Sequence, residues 1–266
     1  MNGMQRAVVI TVMAFFVIVP LVILIGWAVS TSWPYPEMLP RNPSLDGIIG
    51  YLQKPATARA IVNSIELSLI VTCGSLILGY LPSKILGTMD FKGKTALKVI
   101  TLLPSLTPGI CVVFGMIPVF INMGIYRQYI SIVLAQIAFT LPYMILTLSS
   151  VFENYDENYE RQSMSLGVGH VDTFLNVTLP RVKSGIAIGC MYTFMISWSM
   201  YLLTYELAPT SLETMTTTIM PMLVSSTVPY PTLAAAALVF FLPSLLFLVV
   251  STQIIKSDRI NTGGGL

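Results

Sequence analysis

Long apolar runs alternate with short polar intervals along the chain. Runs at 7–29, 61–81, 96–119, 129–150, 186–207 and 233–255 are each long enough to cross a bilayer. The first holds 23 uncharged residues, which at ~1.5 Å per residue covers a ~30 Å hydrocarbon core. It also exceeds the roughly 7–15 apolar residues of a signal peptide, so it reads as an uncleaved span. The pattern predicts an all-α polytopic membrane protein: six transmembrane helices in a single domain over 1–266.

The intervals carry their own signals. Ser30 to Ala60, with Pro34, Pro36, Pro40, Pro43 and Pro55, predicts an irregular extramembrane loop, its Trp33 and Tyr35 suited to the membrane interface. Ala208 to Thr232 predicts a short helix near Leu212 to Leu223, capped by Ser211 or Thr210. The glycine-rich tail Asn261 to Leu266 predicts disorder.

The longest polar interval, 151–185, holds the only histidine, His170. From Glu157 to Leu166 the residues favour helix, and Gly167 stands where a helix ends in the left-handed conformation. Gly169 can cap a second short helix, whose Val171, Phe174, Leu175 and Val177 share one face. Pro180 lacks the amide hydrogen of a continuing helix and is expected to end it. Two short helices joined at a glycine make a compact plug.

Charge orients the spans. With the N-terminus inside, Arg6, Lys84, Lys92, Lys94, Lys98, Arg161, Arg181, Lys183, Lys256 and Arg259 fall on the inner side, against Arg41, Lys54, Arg59 and Arg127 outside. Lysine and arginine stay preferentially cytoplasmic, so both termini and the 151–185 loop are expected there. A mean hydropathy of +0.78 excludes a soluble domain, and a net charge of +2 gives no reason to expect nucleic acid. Cys73, Cys111 and Cys190 lie in apolar runs without metal-ligand spacing and read as small core residues.

The order Glu160, Leu166-Gly167, Phe174, Val177, Leu179-Pro180 and Gly185 resembles the EAA loop of the permease subunits of type I binding-protein-dependent ABC importers. Gln162-Ser163 stands where that family has paired alanines, and Arg161 where its second glutamate often lies. The resemblance implies that the loop docks into a cytoplasmic ATPase through Glu157, Glu160, Gly167, Gly169, His170, Phe174, Leu179 and Pro180. It also implies the partners: a second homologous permease, two ATPase subunits and an extracytoplasmic solute-binding protein, in the inner membrane of a bacterial cell. Length and segment order are most similar to the second permease of spermidine/putrescine-type systems. Ser199 and Met200 stand where polyamine permeases often carry acidic residues.

No catalytic motif accompanies these features. Gly93-Lys94-Thr95 imitates the end of a phosphate-binding loop, but Gly87 leaves five residues where the pattern needs four, and no strand precedes it. Lys84, Lys92 and Lys94 read instead as anchors to anionic lipid. No cofactor is expected, ATP being bound by the partner subunits. Glu66 and Glu206 lie at or within spans, where a carboxylate either marks a solute path or snorkels to the interface. If they face a cavity, an amine or cationic solute such as a polyamine is favoured. Gln136, Ser197, Ser199 and Thr204 can add hydrogen bonds to that path or serve helix packing.

Prolines interrupt several spans, most densely at Leu103-Pro104-Ser105-Leu106-Thr107-Pro108-Gly109, which predicts either a broken or a merely kinked third helix. Two other classes compete with an importer. A gradient-driven carrier calls for paired broken helices, and no second copy of this break is evident in the sequence. An intramembrane enzyme calls for catalytic groups at matching depth, and the lone histidine lies in a loop.

Overall fold

The computed structural model describes residues 3–33, 41–225 and 227–263. Its elements run α1 (Gly3–Ala28), β1 (Ser30–Ser32), β2 (Arg41–Pro43), α2 (Asp46–Leu52), α3 (Pro55–Thr88), α4 (Lys94–Leu106), α5 (Gly109–Asn122), α6 (Tyr129–Phe152), α7 (Asn158–Ser165), α8 (His170–Thr173), a π-turn (Phe174–Thr178), α9 (Leu179–Ser199), α10 (Leu202–Leu207), α11 (Met215–Val224) and α12 (Tyr230–Gly263). Among the described residues, four helices are long and apolar enough to cross a membrane, or five if α4 and α5 count as one bent span. The expected fifth span is α9, whose first turns carry Arg181 and Lys183.

The chain divides into two compact units, Met1–Ile61 with Glu213–Pro243, and Val62–Leu212 with Ser244–Leu266. In the first, β1 and β2 pair as an antiparallel hairpin in place of a wholly irregular loop. Trp27 meets the rings of Trp33 and Tyr230 at 5.3 and 5.2 Å. Pro34, Tyr35, Pro36 and Pro40 lie outside the described residues. Helix α11 starts later than expected because Thr214, not Ser211 or Thr210, forms a reciprocal capping box with Thr217.

The second unit is built on α6. Along α3, Ser68, Thr72, Ser75, Gly79, Ser83 and Gly87 recur every three or four residues, all buried. This small-residue stripe lets backbones approach closely: a Cβ at Gly79 would meet Met144 at 3.0 Å, and one at Gly87 would overlap Phe152. Ser75 and Thr140 hydrogen-bond across the contact at 2.9 Å. On the side toward α9, Gly185 faces Val151 and Gly189 faces Met144. Met144, Leu148, Phe152 and Val182 close the core at that end. Cys73 and Cys111 lie on outward faces rather than in the core, and Cys190 is half-buried.

Two of the expected spans are broken: the third, for which the sequence predicts a break or a kink, and the fifth, which it predicts to be continuous. Helices α4 and α5 meet at 92° around Thr107 and Pro108, where Pro108 cannot donate to a helical ladder. The run 186–207 stops at Ser199, leaves the helix at Met200 (ψ 98°) and resumes at Leu202. No proline or glycine marks that second break; it is held from outside by α6. A second broken helix is therefore present among the described residues, but it is no copy of the proline and glycine break at Leu103 to Gly109. At the C-terminus α12 continues through Asn261 to Gly263 instead of ending before the tail, and 264–266 lie outside the described residues.

Candidate functional site

The 151–185 loop folds as two arms around a glycine joint. Asp156 accepts the Asn158 amide at 2.9 Å and opens α7; Glu157 stands at its N-cap position without a side-chain cap bond and reaches Arg161 at 3.5 Å. At the far end Gly167 takes φ +85°. The Val168 amide bonds the Ser163 carbonyl and the Gly167 amide the Met164 carbonyl, the paired closure of a Schellman motif. Gly169 is extended and caps α8, as expected.

Pro180 does not end the second arm. In an α-helix its ring would press on the carbonyl four residues back, that of Asn176. The π-turn immediately before it relieves this, with the Leu179 amide reaching the Phe174 carbonyl. Leu179 and Pro180 then open α9. The second arm is thus the start of an uninterrupted rod from His170 to Ser199.

Glu160 sits where the arms meet. Its carboxylate accepts Lys84 Nζ at 2.6 Å, the Thr178 hydroxyl at 2.8 Å and the Tyr155 hydroxyl at 3.0 Å. Lys84 is therefore an internal partner rather than a lipid anchor. Burial pushes the Glu160 carboxyl up, but the bonds from Lys84, Thr178 and Tyr155 and the Lys84 charge outweigh it and hold it below the usual carboxylate range. Burial raises the Tyr155 phenol, and the Glu160 carboxylate adds to the rise. Ser163 and Thr173 clasp the arms again at 3.0 Å, and the Arg181 guanidinium lies 4.0 Å from the Tyr159 ring centroid. Phe174 meets Tyr80 edge-on at 5.5 Å, and Tyr80 meets Phe152 at 5.6 Å, tying the knob to α3 and α6.

The tip is apolar and open. Leu166 is 84% exposed, Val171 70% and Leu175 49%, with His170 beside them, also exposed. The tip is thus an exposed apolar patch braced from within by polar clasps.

The path candidates divide. Gln136, Ser197 and Thr204 come together as a buried ladder: Ser197 donates to Gln136 Oε1 at 2.5 Å and Gln136 Nε2 donates to Thr204 Oγ1 at 3.0 Å. One amide thereby holds both sides of the break at Met200 and Tyr201. Ser199 is exposed and bonds its own helix. Neither Glu66 nor Glu206 belongs to this ladder; Glu66 is exposed beside the Tyr129 hydroxyl, and Glu206 is half-buried within electrostatic reach of Arg127. Sequence reasoning missed Lys84, Tyr155, Ser163, Thr173 and Thr178 as parts of the knob. Lys84 stands 76 positions from Glu160, beyond any local pattern.

No protein-family model matches the chain. The trehalose transport system permease protein SugB of Mycobacterium tuberculosis is 26% identical over 80% of this chain and 79% of its own length. The inner membrane ABC transporter permease protein YcjP of Escherichia coli is 24% identical over 99% and 94%. The spermidine/putrescine transport system permease protein PotC of Haemophilus influenzae is 23% identical over 86% and 83%. Among solved structures, a bacterial ABC transporter that imports the acidic polysaccharide alginate superposes with a TM-score of 0.72 at 15% identity, covering 94% of this chain and 95% of its own. The same alginate transporter bound to a periplasmic protein gives 0.66 at 15% identity, over 97% and 94%. Fold and relatives define a multi-pass inner-membrane permease. More particularly, the chain is a permease subunit of an ABC importer. Such permeases are not enzymes; separate ATPase subunits hydrolyse ATP.

Proposed function

We propose that this subunit, as one permease domain over 1–266, forms half of the translocation path for a small polar solute and receives ATP-driven motion through the knob from Glu157 to Pro180. The observation that carries the reading is the exposed tip at Leu166 and Val171 on a joint braced by Glu160 and continuous with α9. Gly167, Gly169, His170, Phe174, Leu179 and Pro180 shape that surface and its exit into the rod. We place the knob and both termini in the cytoplasm, on the lysine and arginine asymmetry. Six spans follow if α4 with α5, and α9 with α10, each cross as one broken span. The partners are a second homologous permease, two ATPases that bind the ATP, and an extracytoplasmic solute-binding protein, as the alginate complex has a periplasmic one; the remaining contacts are with lipid.

For the solute, Glu66 and Glu206 favour an amine. Ser199 shares the exposed path, and the Gln136, Ser197 and Thr204 ladder sets its geometry. A neutral sugar is the second reading, favoured by the proximity of Arg127 to Glu206 and by the trehalose relative. Uptake into proteoliposomes holding the whole transporter tests both. Gly167→Pro is expected to abolish uptake while leaving the protein inserted, since proline cannot take φ +85° and also restrains Leu166; normal uptake would remove the coupling role. Glu66→Gln and Glu206→Gln should weaken spermidine uptake, and unchanged uptake by both would assign the carboxylates to the interface.

A further inference from the structure

Resting on the coupling reading above, we propose that Glu160 is a positioning residue, a latch that links the knob to α3 and never touches the ATPase. A docking residue should be accessible, yet the Glu160 side chain is 15% exposed and its Lys84 partner 24%. The exposed tip lies elsewhere, at Leu166 and Val171. One carboxylate instead joins four elements: the last turns of α3 through Lys84, the exit of α6 through Tyr155, the π-turn through Thr178, and α7, which carries it.

The consequence is a second route for the stroke. Rod α9 takes up motion along its own backbone. Helix α7 follows the joint at Gly167, and its clasps to α8 and to α9 are neutral or exposed. Its link to α3 is a full ion pair, Lys84 to Glu160, charged on both sides, and such bonds are the stronger class. Helix α3 is in turn seated on α6 by Ser75, Gly79 and Gly87. A push on the tip therefore moves α3 and α9 together, on two sides of α6.

The test uses the complete transporter with Lys84→Met, Glu160→Gln, Lys84→Arg and the exchange Lys84→Glu with Glu160→Lys. Solute moved per ATP hydrolysed reports coupling; co-purification of the ATPase reports docking. Lys84→Met and Glu160→Gln should each keep the ATPase bound while solute moved per ATP falls about tenfold, the scale of one lost charge-assisted bond. Lys84→Arg should retain most of the coupling, and the exchange should recover part of it. Full coupling in Lys84→Met would overturn the latch. Loss of the ATPase in Glu160→Gln but not in Lys84→Met would make Glu160 a docking contact, leaving the coupling reading intact. An ATPase that stays bound and coupled when Leu166 and Val171 are both replaced by aspartate would instead remove the coupling reading itself.

Discussion

The chain leaves the regular helix at Gly167 and again at Met200, and the two places are built in opposite ways. At Gly167 the backbone is strained for any other residue, the polar clasps are inside and the apolar side chains outside. At Met200 no special residue is present; the polar groups are buried, and Gln136 bonds Ser197 before the break and Thr204 after it. The same rod ends in both. The exposed apolar tip is the surface through which the proposed coupling would act, whereas a buried ladder with its groups satisfied holds its own chain in one geometry.

Replacing the ladder's centre sharpens this contrast most. Gln136→Leu leaves the Ser197 hydroxyl only its longer bond to Ser68 at 3.4 Å and removes the bridge across the break, so unfolding of the purified protein in detergent should become easier by ~1–3 kcal/mol. Ser199→Ala, at an exposed neighbour, should leave the unfolding midpoint unchanged, and equal effects would mean that the break needs no clamp.

Acid comes next. Because the folded-state Glu160 carboxyl lies below its ordinary value, its contribution is complete above the usual carboxylate range and is lost as pH falls through the depressed value. Amide exchange of the knob, corrected for intrinsic rates, should stay slow through the range where free glutamates protonate and quicken only below it. Glu160→Gln should remove that acid transition.

The smallest effect is expected at Gly169. Its φ of −67° suits any residue, and an added Cβ would find only Asp172 Oδ2 at 3.9 Å, so Gly169→Ala should leave uptake near normal. Gly167→Ala, forced to φ +85°, should destabilise the joint by ~1–2 kcal/mol. Parallel uptake and thermal-unfolding measurements on the pair separate a conformational requirement from mere smallness.

Much of this was legible in the sequence because the signals are local. Apolar runs located the helices, and Gly167 announced the joint through the one conformation that glycine takes freely. Pro180 misled, since a proline stops an α-helix but not one that has just made a π-turn. The break at Met200 was hidden because its cause, Gln136, lies on another helix. Lys84 read as a lipid anchor for the same reason: its partner Glu160 is a tertiary neighbour. The capping of α11 was displaced because Thr214 and Thr217 form a reciprocal box that Ser211 cannot.

In the proposed coupling, the glycine-jointed knob meets the ATP-hydrolysing subunit. Leu166→Cys, 84% exposed at the tip in the native residue, should cross-link to the ATPase when the whole transporter is treated with a short thiol-directed reagent, with a yield that changes on nucleotide binding. Cross-linking to no ATPase, or labelling of that cysteine only from the extracytoplasmic side, would rule out a knob that couples to the ATPase.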